Sequence, residues 1–183
     1  MNNWPYPAPT DDSAAAHLVP GRWLPDMALG STSGGPINLR HLTGRAVVFV
    51  YPWTGRPGVP NPPAWDEIPG AHGSTPEAEG FRDHLSRFDA LGVRVLGLST
   101  QTSGWQQELA ARLALSYPLL SDAGFHFSDE FRLPRFETCG VSYLERLTLV
   151  VRDGLIEHVF FPVHPPHTHA AEVLAWLSGQ GRS

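Results

Sequence analysis

Residues 70–84 read GAHGSTPEAEGFRDH, and this stretch decides the fold. Ser74 to Glu77 contain the signals of a helix start: a capping hydroxyl, a proline in the first turn and a glutamate three residues after the serine. Apolar residues then recur at spacings of three and four, as on one buried helical face: Ala78, Phe81, Leu85 and Phe88. The stretch therefore predicts a loop followed by a helix over roughly 76–90.

A short apolar run precedes this stretch. Residues 46–51 read AVVFVY and are rich in β-branched side chains, which predicts a buried strand. A strand, a loop and a helix start thus follow one another along the chain. In α/β proteins such a helix start often carries the chemistry, because its free backbone N–H groups and the helix dipole favour an anion.

Three segments resemble those of one known family. STPEAEGFRD at 74–83 resembles the active-site helix of Q-type peroxiredoxins (the bacterioferritin-comigratory group), which typically reads C-T-x-E-A-C-G-F-R-D. VFVYP at 48–52 is similar to the family's strand ending in Tyr-Pro, and ERLTLV at 145–150 to its E-R-x-T-F-V strand. The resemblance extends over roughly residues 20–178. It implies an α/β, thioredoxin-like fold of the peroxiredoxin type, and a family reaction that is the thiol-dependent reduction of hydroperoxides.

The chain departs from this family at two positions. Ser74 stands where the family has its peroxidatic cysteine, and Glu79 stands where many members have a resolving cysteine. A thiolate attacks peroxide because it is anionic and soft at neutral pH, and a serine hydroxyl is neither. We therefore expect the family reaction to be lost in this chain. The resemblance also implies that Arg146 faces the peroxide, since its counterpart hydrogen-bonds the thiolate.

Several interpretations of these positions are open from sequence alone. The scaffold could have been repurposed to bind or transform a small organic molecule in a pocket around Ser74, Glu79 and Arg146, or it could be a non-catalytic regulatory module. Ser74 could also be a laboratory replacement in a one-cysteine peroxiredoxin, or simply a helix cap. Arg146 could form an ion pair instead, with one of three carboxylates: Glu77, Glu79 or Asp83.

Residues 52–69 form an insertion relative to the family's short loop. Prolines fix its backbone in an irregular path, so it is either a rigid cover for the core or one wall of a substrate pocket. Candidates for that wall are Trp53, Arg56, Trp65 and Asp66. The predicted substrate-binding residues are Tyr51, Pro52, Trp53, Trp65 and Thr75.

Histidines and the single cysteine provide weaker signals. His164, His167 and His169 lie within one short segment, but the prolines between them keep the segment extended, so a metal site there is a weak hypothesis. Cys139 is the only cysteine, which excludes an internal disulfide, and we expect a buried, inert thiol. Acid–base work by Glu79 with His72 and His84 is less well supported than a solvated carboxylate.

The charge composition of the chain narrows the classes of molecule that it is expected to bind. The net charge is −5, with 13 arginines and no lysine, which argues against non-specific binding to nucleic acid. We expect a cytoplasmic monomer or homodimer with a small-molecule ligand or hydroperoxide as partner, without contact to a membrane and without a cofactor.

The remaining chain alternates strands and helices. We expect an extended arm at 1–19, then one domain at 20–183 with a mixed central sheet and helices on both faces. The predicted elements are a hairpin within 23–45, strands at 93–99 and 117–122, helices at 103–115 and 125–132, strands at 146–151 and 156–161 joined by Asp153-Gly154, and a helix at 168–177.

Overall fold

The computed structural model describes residues 3–180, and within them it contains nine strands and five α-helices. The strands are β1 (Ala28–Ser31), β2 (Ile37–Asn38), β3 (Arg45–Val50), β4 (Val93–Ser99), β5 (Leu119–Ser121), β6 (Arg135–Thr138), β7 (Val141–Leu144), β8 (Leu147–Arg152) and β9 (Leu155–Phe160). The α-helices are α1 (Ser74–Asp83), α2 (Leu85–Ala90), α3 (Ser103–Arg112), α4 (His126–Phe131) and α5 (His169–Gln180). Short 3₁₀ helices cover Leu39–His41, Trp65–Glu67 and Pro166–Thr168.

Seven of the strands form one mixed sheet in the order β2-β1-β5-β4-β3-β8-β9. The apolar run predicted as a buried strand is β3, which pairs in parallel with β4 and antiparallel with β8. Its side chains alternate between two cores, because successive residues of a strand point to opposite faces. Val48 and Val50 pack in one core with α4, whereas Val47 and Phe49 pack in the other with α1, α2, α3 and α5. This confirms the expected α/β architecture with helices on both faces.

The helix predicted over 76–90 is interrupted. The structure has two helices, α1 and α2, separated at His84. The His84 backbone (φ −102°, ψ 3°) leaves the helical region, and its imidazole Nδ1 donates to the Gly80 carbonyl at 2.9 Å. The predicted apolar face is nevertheless correct, since Ala78, Phe81 and Phe88 are buried.

Two of the three hairpins, β6–β7 and β8–β9, are joined by two-residue turns. The predicted turn at Asp153-Gly154 connects β8 to β9, and both residues have positive φ (50° and 80°), as an Asp-Gly turn requires. The hairpin of β1 and β2 is also confirmed. The hairpin of β6 and β7 was not predicted, although Cys139 and Gly140 at its turn have the same pair of positive φ angles (49° and 76°). The X-Gly pair between them was the signal that could have located it.

The N-terminal arm, described from residue 3, lies along the loop before α1. The Tyr6 ring stacks on the His72 ring with centroids 3.7 Å apart, and Trp4 stacks on His167 at 4.8 Å. The Gly70 N–H donates to the Pro7 carbonyl at 3.2 Å. The arm therefore holds the loop that leads into α1.

Among residues 3–180, no helix combines the length and the apolar composition needed to cross a membrane.

Candidate functional site

Ser74 is the first residue of α1, and Gly73 occupies the capping position. The prediction that Ser74 caps the helix is therefore wrong, since no side chain caps α1. Gly73 adopts φ 115°, and a Cβ atom there would collide with Pro166 and approach Trp4 Cζ2 to 2.7 Å. Tertiary packing therefore requires glycine at the capping position, and the Ser74 side chain, one residue inside the helix, is available for another partner.

That partner is Arg146, which immediately precedes β8. Its Nη2 donates to Ser74 Oγ at 3.0 Å and to the Ala71 carbonyl at 3.1 Å. Its Nη1 donates to the Glu77 carboxylate, and both side chains of this ion pair are buried. Of the three carboxylates that the sequence offered, Glu77 is the one that pairs with Arg146, and Asp83 binds Arg82 instead.

Helix geometry explains this choice. Each residue advances by about 100° around the axis, so Glu77 lies about 60° from Ser74, on the same side of α1, whereas Glu79 lies about 140° away. Glu79 is half-exposed and does not line the cavity beside Ser74. The structure therefore separates Glu79 from Ser74 and Arg146, with which the sequence interpretation had grouped it.

The buried ion pair of Glu77 and Arg146 also determines the net charge next to Ser74. Burial raises the pKa of Glu77 above its usual range, and the adjacent Arg146 guanidinium acts in the opposite direction. An ionised Glu77 cancels the charge of Arg146, so the guanidinium offers Ser74 a hydrogen-bond donor inside a neutral pair.

A cavity of about 240 Å³ opens beside Ser74, and we call it the Ser74 cavity. Its lining residues are Trp53, Gly55, Arg56, Pro57, Asn61, Trp65, His72, Gly73, Ser74, Thr75, Pro76 and Arg112. Three of the predicted substrate-binding residues, Trp53, Trp65 and Thr75, are among them. Tyr51 and Pro52 are buried and do not line it. Arg112 was not predicted, because it comes from α3, far along the chain.

The insertion at 52–69 both covers part of the core and lines the Ser74 cavity. Trp65 is buried and packs edge-on against two rings, with its ring centroid 4.9 Å from that of Tyr143 and 5.6 Å from that of Trp53. Trp53 and Arg56 line the cavity. Asp66 lies outside the lining and orients His72, since its Oδ1 is 2.8 Å from the imidazole Nδ1. The insertion thus covers part of the core and supplies one cavity wall.

The three candidate metal-binding histidines do not converge. His169 is buried, with Nε2 2.9 Å from Thr148 Oγ1 and Nδ1 2.8 Å from Glu172. His167 stacks on Trp4, and His164 is exposed. Within the part of the chain that the structure describes, no three His, Cys, Asp or Glu side chains are grouped as metal ligands.

Arg146 does not line the Ser74 cavity, so the predicted pocket with both Ser74 and Arg146 in its wall is wrong; Arg146 lines a second, smaller cavity of about 140 Å³ beside the N-terminal arm. Its charged lining residues are Asp12 from the arm, Glu145 and Arg146. Burial raises the pKa of Glu145 to about 7, and the charge of Asp12 adds to this shift.

The carboxyl of Glu145 makes stability depend on pH. Its pKa lies above the ordinary value of 4.5, so the folded state keeps this proton to higher pH than the unfolded state does. The contribution of Glu145 to the free energy of unfolding should therefore fall as pH rises from about 4.5 to about 7. In urea denaturation at pH 5 and pH 8, we expect Glu145→Gln to show a smaller difference between the two midpoints than the parent chain. Equal differences in both proteins would contradict this assignment.

Comparison with known proteins places this geometry in context. Residues 68–159 match the AhpC/TSA family. The chain is 29% identical over 165 residues to peroxiredoxin Bcp of Escherichia coli strain K12, covering 87% of this chain and 96% of that protein.

Two solved structures are similar to this chain along most of their length. Peroxidoxin BcpB from Mycobacterium tuberculosis superposes with a TM-score of 0.70 at 27% identity, covering 89% of this chain and 98% of that one. The bacterioferritin comigratory protein of Xanthomonas campestris, studied for its alkyl peroxide reduction activity, superposes with a TM-score of 0.69 at 26% identity, covering 87% and 97%. The fold is thus similar to that of a peroxidoxin and of a bacterioferritin comigratory protein.

Proposed function

The chain belongs to the AhpC/TSA family, as a peroxiredoxin of the Q type, and from this membership we propose that it keeps the family's peroxide-binding frame without its thiol chemistry. We further propose that the Ser74 cavity binds a small organic molecule. A cytoplasmic location and a monomeric or dimeric state stay predictions.

One observation carries the first part of the proposal. The Arg146 guanidinium donates to Ser74 Oγ at 3.0 Å at the start of α1, where the family resemblance implies a thiolate. The only cysteine, Cys139, is exposed at the turn between β6 and β7, so the expectation of a buried thiol is wrong: the two turn residues with positive φ project away from the core. The contact from Arg146 to Ser74 supports the proposal that the frame which would orient a sulfur nucleophile is kept around an oxygen.

The missing step is the attack itself. In the family reaction the thiolate sulfur attacks one peroxide oxygen, the O–O bond breaks, and a sulfenic acid and an alcohol or water result. The Ser74 hydroxyl is uncharged at neutral pH and cannot hold the oxidised state that sulfur forms. Ser74 instead accepts a hydrogen bond, which leaves it suited to binding.

The Ser74 cavity supports the second part. Its tryptophan walls leave about 240 Å³ open beside the helix start instead of filling it, which favours a ligand site over a purely regulatory module.

The test is a peroxidase assay with hydrogen peroxide and cumene hydroperoxide, with dithiothreitol as reductant. We expect the parent chain to stay at background. Ser74→Cys should exceed it by about a hundredfold or more, since the presence or absence of the nucleophile changes rates by several orders of magnitude.

Ser103→Cys provides a matched control, because Ser103 also begins a helix, α3, but has no arginine partner among the described residues. It should remain at background, and Ser74→Cys should keep its activity when Cys139 is also replaced by serine. Turnover by the parent chain would contradict the loss of thiol chemistry. Inactivity of Ser74→Cys would contradict the intact frame, and with it the alternative that Ser74 replaced a working cysteine.

A further inference from the structure

Two guanidinium groups face the Ser74 cavity from different elements. Arg56 comes from the insertion at 52–69 and Arg112 from the last residue of α3. Neither belongs to the segments that resemble the family's active-site motifs. Within the described residues, the lining of this cavity contains both arginines and no carboxylate.

Both arginines are held in place. Arg112 Nη2 donates to the Gly55 carbonyl at 2.9 Å, and its Nε donates to Glu108 at 2.7 Å. Arg56 Nη2 donates to the Gly104 carbonyl at 3.2 Å, and its guanidinium stacks 4.1 Å above the Trp105 ring. Groups fixed before a ligand arrives lose little conformational entropy on binding it.

The charges of this cluster do not cancel. Glu108 is the one carboxylate within ion-pair distance of either arginine among residues 3–180, at 3.4 Å from Arg56 and 2.7 Å from Arg112. Two positive charges therefore share one negative charge, which leaves the cluster at +1. The Asp66 carboxylate lies nearby but interacts with His72.

The remaining walls are aromatic and polar. Trp53 offers a partly exposed apolar ring, which the buried Trp65 supports from its edge, and Thr75 and Asn61 offer hydrogen bonds. A guanidinium matches the two oxygens of a carboxylate, and its planar fork makes that match directional.

We infer that the Ser74 cavity selects a small planar organic acid, with its ring on Trp53 and its carboxylate at Arg56 and Arg112. This inference rests on the proposed function, since it names the chemical class of the small molecule that the cavity binds. The competing explanation is that the arginines only attach the insertion to α3.

Binding can be followed by ¹⁵N NMR at the indole N–H signals of Trp53 and Trp65, with benzoate and its neutral isostere benzamide as probes. We expect benzoate to bind the parent chain about tenfold more tightly than benzamide. Arg112→Gln should weaken benzoate about tenfold and leave benzamide unchanged. Glu108→Gln should act in the opposite direction and tighten benzoate about three- to tenfold, because it removes the shared negative charge.

Arg82→Gln is the matched control, since Arg82 donates to Asp83 and the Leu113 carbonyl and does not line the cavity. It should leave both affinities unchanged. The amide spectrum of each variant checks that it is folded, so a structural role of the arginines would appear there and not in the ratio of the two probes. Equal affinities for benzoate and benzamide would overturn the inference and leave the proposed small-molecule site standing. Absence of binding by both probes would overturn this inference and the small-molecule site together.

Discussion

The free energy of unfolding is expected to fall by about 3–5 kcal/mol when Glu77 is replaced by alanine. This change removes the carboxylate that pairs with Arg146, and both side chains of that pair are buried. The guanidinium would keep its bonds to Ser74 and Ala71 but would hold an uncompensated charge away from water. Urea denaturation at pH 7, followed by circular dichroism, measures the loss.

Glu79→Ala is the matched control, since it removes a half-exposed carboxylate from the same helix. It should change the free energy of unfolding by no more than about 0.5 kcal/mol. A double variant, Glu77→Ala with Arg146→Met, should recover part of the loss, because it leaves no buried charge. If its loss equals the sum of the two single losses, the two side chains do not act as a pair.

The second large effect is expected at Gly154, where alanine should lower the free energy of unfolding by about 3–5 kcal/mol. Gly154 has φ 80°, and a Cβ atom there would collide with the Arg40 carbonyl oxygen and approach its carbon to 2.9 Å. These are backbone atoms of the 3₁₀ helix at Leu39–His41, so they cannot move aside as a flexible side chain would.

Gly92→Ala separates the two contributions to that loss. Gly92 also has positive φ, 67°, but a Cβ atom there meets nothing within 4 Å. Its replacement should cost about 1–2 kcal/mol, which is the conformational term alone. Equal losses at positions 92 and 154 would mean that the contact with Arg40 contributes nothing.

Local patterns predicted the elements that depend on local physics. The strand at 93–99 and the turn at Asp153-Gly154 follow from apolar patterning and from positive φ, and both agree with the structure. Contacts between distant residues determine features that these local patterns do not contain. At the capping position, Pro166 and Trp4 leave no room for a Cβ atom on residue 73, and neither residue is near Gly73 in sequence.

The candidate site, too, could be predicted from the sequence only in part. Arg146 could be given a short list of partners from the sequence, but the choice of Glu77 needs the angle between residues on α1. Arg112 could not be foreseen, because its place at the cavity depends on how α3 packs against the insertion.

The hydrogen bond from Arg146 to Ser74 has a consequence for the history of this chain. An oxygen at position 74 satisfies the guanidinium donor, and Glu77 already balances its charge, so the fold does not require sulfur there. Exchange between cysteine and serine at position 74 is therefore expected to change the free energy of unfolding little. A substitution at position 74 is thus expected to change reactivity while the scaffold persists.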